Sequence, residues 1–371
     1  MSAELLYPFL DTPALVLDLE KMEANIKEMA DIAREAGVKL RPHIKTHKSP
    51  YLASLQLEAG ASGITAAKLG EAEVMAGAGI TDIRIAYPIC GDIKLGRLKR
   101  LAEIATVSCS LDSLEVARGI SSLAQQTETP FAVLLEINTG MDRCGALPGE
   151  EALALARKIA PLPGLDLVGI LTHEGHLLST ERSISSLKQR AVEVAEKMVM
   201  TADLLRRNGI NIREVSIGST PAVRYNANVP GVTEIRPGTY IFNDLNEMIS
   251  GVATEETCAV TVLVTVVSIP ADDRAIIDGG SKTFSSDTLA HDEETGFGRI
   301  KGHPDIVLDH MNEEHGYLRL SDARRKLKIG QRLEVIPNHI CPLPNLADRF
   351  YGVRRGVLEK EIPILARGKN T

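Results

Sequence analysis

The chain has 371 residues, 42 basic and 49 acidic side chains, a formal charge of -7 and an isoelectric point near 5.8, so it exceeds one ordinary domain and accommodates a barrel plus an accessory domain. It has no basic block dense enough to track a phosphate backbone, which removes nucleic acid as a partner, and no stretch approaches the about 20 apolar residues of a membrane span. Met1 to Asp11 lacks the basic start and apolar core of a secretory signal, and Cys90, Cys109, Cys144, Cys258 and Cys341 are odd in number and widely spaced, so the reading is a cytoplasmic protein with reduced thiols.

In chain order, apolar residues at helical spacing (Met22, Ile26, Met29, Ile32, Ala33) predict a helix over Lys21 to Ala36 that Gly37 ends. Val38 and Leu40 read as a short strand, and Pro42 forces Arg41 into extended geometry. The basic run Arg41-Pro42-His43-Ile44-Lys45-Thr46-His47-Lys48 therefore sits where that strand ends. Further strands are expected at Gly63–Ala67, Ile83–Ile89, Val107–Leu111, Ala132–Ile137, Leu167–Thr172, Val215–Ile217 and Thr233–Ile235. Helices are expected between them, at Ser49–Ala59, Lys68–Ala78, Ile93–Ile104, Ser113–Gln125, Glu150–Ile159 and Ser183–Arg207.

Eight strands alternating with helices are the count of a closed parallel (β/α)8 TIM-like barrel. The competing open, doubly wound sheet lacks its glycine-rich loop after an early strand. Polar residues recur just after the strands (Lys45, Asn138–Arg143, His173–His176, Gly218–Thr220, Arg236–Thr239), which is where a barrel keeps its active site. From about Val252 the pattern turns to short β-rich runs, Cys258–Val267, Arg274–Asp278, Tyr317–Leu320 and Arg332–Ile336. The expected division is a barrel over 12–250 and an antiparallel β domain over 251–371, with residues 1–11, including Leu5–Leu10, packed on the latter.

Lys45 follows a strand and is flanked by His43 and His47, and neighbouring cations disfavour an ammonium. An amine so placed suits imine chemistry with an aldehyde, because only the neutral form is a nucleophile; a solvated basic loop is the bland alternative. The Ser216-Ile217-Gly218-Ser219-Thr220 turn offers small residues, backbone N–H groups and hydroxyls suited to a phosphate, and Gly238-Thr239 after the next strand strengthens that assignment. His339 and Cys341, two apart in an extended segment, project to one side and suit Zn²⁺, while two ligands leave room for water or substrate.

The motifs Arg41–Lys48, Thr172-His173, Gly218-Ser219-Thr220, Arg236-Pro237-Gly238, Glu313-Glu314-His315-Gly316 and Pro337-Asn338-His339-Ile340-Cys341 occur in the order in which they stand in the D-threonine aldolase and D-serine dehydratase family, which this chain resembles. That family consists of pyridoxal-phosphate enzymes of the alanine-racemase fold. The resemblance implies a homodimer, Lys45 as the Schiff-base lysine with Lys48 as runner-up, Arg143 near the cofactor's phenolic oxygen and His173 against the pyridine face. His176 is a weaker candidate. Arg236 is implied opposite the pyridine nitrogen, and Tyr240 as a phosphate, dimer or core residue.

The resemblance further implies a divalent ion at His339 and Cys341. Some members have aspartate where this chain has Cys341, so zinc, manganese and magnesium all stay open. Glu313–Gly316 reads equally as a surface helix end, and Asp278–Lys282 as a turn without a role. The implied function is a metal-assisted lyase acting on D-β-hydroxy-α-amino acids, first a D-threonine aldolase yielding glycine and an aldehyde. D-serine dehydratase, amino-acid racemase and a cofactor carrier are the alternatives.

Overall fold

The computed structural model describes residues 6–126, 130–180, 183–290, 296–320 and 327–371. It divides into two compact units, one of Lys27–Lys45, Ser49–Gly238 and Lys369–Thr371, the other of the chain up to Ile26, Thr46–Lys48 and Thr239–Gly368.

Strand β1 (Ala14–Asp18) is followed by the helix Leu19–Ala36, which buries Leu19, Met22, Ile26, Met29 and Ala33 at alternating three- and four-residue spacing. Gly37, at φ +68°, ends that helix, and the Val38 N–H reaches back to Ala33 O at 3.0 Å in a left-handed cap.

The first unit is a parallel barrel of β2 (Lys39–Leu40), β3 (Ile64–Ala66), β4 (Asp82–Ile85), β5 (Thr106–Leu111), β6 (Phe131–Glu136), β7 (Leu165–Leu171), β8 (Glu214–Ile217) and β9 (Glu234–Ile235). These pair in the order β2-β9-β8-β7-β6-β5-β4-β3. The ring closes where Ser62 N–H donates to Leu40 O and Thr65 N–H to Pro42 O, both at 2.8 Å, with a parallel bridge between His43 and Thr65. Strands buried on both faces, such as β3 and β6, read as nearly continuous apolar runs, as a helix-covered parallel sheet requires.

The second unit is a nine-stranded sheet completed by β10 (Val260–Ala271), β11 (Arg274–Ile277), β12 (Gly298–Ile300), β13 (His303–Met311), β14 (Gly316–Leu320), β15 (Arg332–Pro337), β16 (Arg349–Arg354) and β17 (Val357–Pro363). Its order is β11-β14-β13-β12-β15-β10-β1-β16-β17. Leu10 packs with Ala14, Val16, Leu263 and Val353, with Tyr7 against them, so the start of the chain joins this sheet; Leu5 lies outside the described residues.

The sequence reading differs from this unit in three respects. Ala14–Asp18, read as part of the barrel, pairs antiparallel with β10 and parallel with β16. Thr46–Lys48 and the stretch from Thr239 also fall here rather than with the barrel. Strands β12, β13, β16 and β17 went unread: β13 carries Pro304 at its second position, and β17 alternates charged and apolar residues at a sheet edge, so neither shows the unbroken β-branched run of a central strand.

Candidate active site

The basic run after β2 is built by the barrel closure. Arg41 N–H donates to Ile235 O and His43 N–H to Pro237 O, both at 2.9 Å, and a 3-10 turn over Ile44–Thr46 then presents Lys45. Arg41 itself turns away to Glu234 (2.8 Å) and Asp82 (2.6 Å), so it is structural. His43 Nδ1 accepts the Lys45 N–H at 3.4 Å. Burial, then the charges of Lys45, His173, Arg236 and Arg143, hold His43 well below the usual imidazole range. At neutral pH it is uncharged, and so it is not the flanking cation that the sequence suggested.

His173 follows β7 and donates from Nδ1 to Gly218 O at 2.5 Å, which fixes its tautomer and leaves Nε2 without a proton. Burial first, and the Lys45 charge next, push it down to about 3. A Cβ on Gly175 would lie 2.6 Å from that Nε2, so glycine is required beside the ring.

Arg236 donates from Nη2 to Thr172 O at 2.6 Å and from Nη1 to Ser216 Oγ. Burial lowers it to about 10, which still leaves a cation at neutral pH. Arg143 sits in an exposed loop with positive φ at Gly140, Asp142 and Gly145. Asp142 accepts from Asn138 Nδ2 at 2.9 Å, and Arg143 hydrogen-bonds Cys144. The Arg143 charge is nonetheless felt at His43, His173 and Glu136, so Lys45, Arg143, His173 and Arg236 are brought together. His176 is half-buried beside Gly140, where a Cβ would lie 2.9 Å from its Nε2.

The turn after β8 holds a residue the sequence reading missed. Glu174, fully buried, accepts the Gly218 N–H at 3.2 Å, the Ser219 hydroxyl at 3.1 Å and Asn226 Nδ2 at 3.0 Å. Burial raises its pKa. Two of the donors assigned to a phosphate are therefore committed to a carboxyl group, and what the Gly218-Ser219-Thr220 turn offers is a fixed shape. Gly218 is obligatory there, since a Cβ would lie 2.8 Å from the Arg236 backbone. The clue was an acidic residue directly after His173 at a barrel strand end.

In the β-sheet unit, His339-Ile340-Cys341 follows β15. The buried Ile340 donates its N–H to Asp244 Oδ2 at 2.9 Å, and His339 Nδ1 lies 2.7 Å from Asp287 Oδ2. Burial opposes a charge on His339, but the Cys341 sulfur, Asp287 and Asp244 carry it up to about 11. The imidazole also hydrogen-bonds Cys341, whose Sγ is 3.2 Å from the Thr46 hydroxyl and 3.8 Å from that of Thr239. Thr239, read as a phosphate residue, thus stands beside the thiol, while Gly238 is half-buried at the end of the barrel unit. Among the described residues no group of three or more His, Cys, Asp or Glu side chains is arranged to hold a metal.

Lys48 is buried at φ +53° with its carbonyl accepting Ala366 N–H at 3.0 Å, and Tyr240 is 2% exposed. Glu313–Gly316 links β13 to β14 rather than ending a helix, with Glu314 2.7 Å from Lys282 Nζ. Gly280 precedes a short helix, Ser281–Phe284, where the sequence suggested only a turn.

Pyridoxal phosphate brings an aldehyde, a flat ring and a dianion. The barrel's cluster fits it: an amine on a turn, a neutral imidazole locked by a carbonyl, two arginines and a glycine turn. The fold is that of the alanine-racemase barrel, and the family it points to consists of pyridoxal-phosphate-dependent lyases. The alanine racemase N-terminal domain matches residues 17–245 and a putative serine dehydratase domain residues 259–353. A D-threonine aldolase from an Arthrobacter species is 35% identical over 96% of this chain and 93% of its own. The D-threo-3-hydroxyaspartate dehydratase of Delftia sp. (strain HT23) is 36% identical over 90% and 91%. A cysteine-to-alanine variant of a D-threo-3-hydroxyaspartate dehydratase, solved in its metal-free form, superposes with a TM-score of 0.89 at 32% identity, covering 97% of this chain and 99% of that one. The chain belongs to the D-threonine aldolase and D-serine dehydratase family of pyridoxal-phosphate-dependent lyases.

Proposed function

We propose that the protein cleaves the Cα–Cβ bond of a D-β-hydroxy-α-amino acid, as a D-threonine aldolase does, with pyridoxal phosphate on Lys45 and a divalent ion on His339 and Cys341. The observation that carries this reading is the place of Thr46: its hydroxyl is 3.2 Å from Cys341 Sγ, and its peptide neighbour is Lys45. A racemase has no need of a thiol and an imidazole there.

Pyridoxal phosphate, when bound, draws electrons from the bonds at an amino acid's Cα. An ion on the thiolate and imidazole would lower the pKa of a β-hydroxyl. The chain's own groups hold and tune. Arg236, fixed by Thr172 O and Ser216, keeps a permanent cation in the barrel, which discourages protonation of a pyridine nitrogen placed against it. Burial keeps His173 and His43 weakly basic, so neither is charged beside a bound cofactor at neutral pH. A homodimer with its five cysteines as thiols is part of the same reading. No helix among the described residues is long and apolar enough to cross a membrane.

Incubation with D-threonine, D-serine and D-3-hydroxyaspartate, with and without chelator, tests the reaction. Aldehyde release from D-threonine is expected. Pyruvate from D-serine without aldehyde would reassign the chain to the dehydratases, and turnover indifferent to chelator would remove the ion. Lys45→Ala should abolish the visible cofactor band and Lys48→Ala should keep it; the reverse result moves the cofactor to Lys48.

A further inference from the structure

The carboxylate of Asp287 has no part in the reading above, yet its surroundings are unusually determined. Its backbone carbonyl accepts Asn338 Nδ2 at 3.3 Å, and the same amide donates to Gly296 O at 2.6 Å. Three residues on, Ala290 N–H donates to Asn246 Oδ1 at 2.9 Å, while Asn246 N–H donates to Asn338 O at 3.2 Å. Leu289 is buried with Leu245, Cys258 and Ile336. Both the segment bearing Asp287 and the segment bearing His339 are therefore tied to the same asparagines, and the 2.7 Å contact between Asp287 Oδ2 and His339 Nδ1 joins two anchored backbones.

A carboxylate accepts only, so the nitrogen facing it must carry the ring proton. With Nδ1 held by Asp287, Nε2 is the nitrogen whose proton a cation displaces on binding. The imidazole's other hydrogen-bonding partner is Cys341, so one ring meets both the Asp287 carboxylate and the thiol.

We propose that Asp287 is a positioning residue for a divalent cation: it fixes the tautomer and direction of His339 so that Nε2 and the Cys341 sulfur converge as ligands. The assignment rests on the reading that His339 and Cys341 bind the ion. Groups of this kind behind a ligating histidine change metal affinity by about 10–100-fold when removed. The Asp287 side chain is half-exposed, so its truncation removes little buried surface.

The test is the zinc affinity of the full-length holoenzyme, measured by competition with a chromogenic chelator, for wild type, Asp287→Ala, Asp287→Asn and His339→Ala. Asp287→Ala should bind zinc about 10–100-fold more weakly with an unchanged melting temperature and cofactor band. Asp287→Asn, which keeps an acceptor oxygen at the same distance, should recover most of that loss. An Asp287→Ala affinity within twofold of wild type overturns the assignment, and so does an Asparagine variant as weak as alanine. Wild-type zinc affinity in His339→Ala would instead sink the ligand reading on which the proposal rests.

Discussion

Oε1 of Glu174 accepts the Ser219 hydroxyl at 3.1 Å while Oε2 accepts the Gly218 N–H at 3.2 Å, so one buried carboxyl group holds both residues at the head of the turn after β8. Gly218 in turn supplies the carbonyl that fixes His173. Removing the carboxyl strands three donors, counting Asn226 Nδ2, and each buried unsatisfied group costs about 1–3 kcal/mol. Glu174→Ala should therefore lower stability and weaken pyridoxal-phosphate binding by about tenfold or more. Glu174→Gln keeps one acceptor oxygen, for Ser219 and Asn226, but turns an NH₂ toward the Gly218 N–H, so its affinity should fall between those of wild type and the alanine variant. Absorbance titration of the apoprotein with the cofactor reads the difference, and equal affinities for wild type and the alanine variant would remove Glu174 from the site.

His43 and His173 set the acid side of the stability profile. Both have folded-state pKa values below the ordinary 6.5, His173 at about 3. As pH falls below 6.5 the unfolded chain binds protons that the folded chain refuses, so stability drops, by at most about 1.4 kcal/mol per pH unit for each histidine. Glu136 and Glu174, raised by burial, act in the opposite sense over the acid end of that window, so the informative quantity is a difference between variants. Denaturant midpoints at pH 7 and pH 5 should show His173→Gln losing roughly half of the wild-type decline. An undiminished decline would mean that His173 titrates normally.

The barrel was legible because apolar strand runs alternated with helical spacing, and Lys45, His173 and Arg236 were singled out because they directly follow strands. Glu174 and Asp287 escaped because their meaning depends on partners 44 and 52 residues away, Gly218 and His339, which no local spacing encodes. Strand β1 escaped for a related reason: Ala14–Asp18 is apolar enough to belong to either unit, and its antiparallel pairing with Val260–Leu263 decides. The flanking-cation argument for Lys45 counted His43 as a charged neighbour. Burial makes His43 neutral, and burial is not readable from three neighbouring letters.

The barrel interior contains what an aliphatic pattern conceals. Arg84, 2% exposed on β4, reaches Ser108 on the neighbouring β5 and crosses the barrel to Glu214 on β8 and Glu234 on β9, strands that do not neighbour β4 in the sheet. Glu234, 1% exposed, also takes Arg41 at 2.8 Å and the Ser216 hydroxyl at 2.5 Å, and Ser216 accepts from Arg236. Burial by itself raises Glu234, but Arg84 and Arg41 pull it below the usual carboxylate range. Breaking a buried pair typically costs about 3–5 kcal/mol because the partner's charge stays uncompensated. Here Asp82 still faces Arg41 and Glu214 still faces Arg84, so Glu234→Gln should fall near the lower end, about 3 kcal/mol, in urea unfolding at pH 7. Replacing Arg84 and Glu234 together by Met and Leu should cost clearly less than the two single substitutions added. Strict additivity would show that the two charges do not depend on each other, and that the network does not hold Ser216, and through it Arg236, in place.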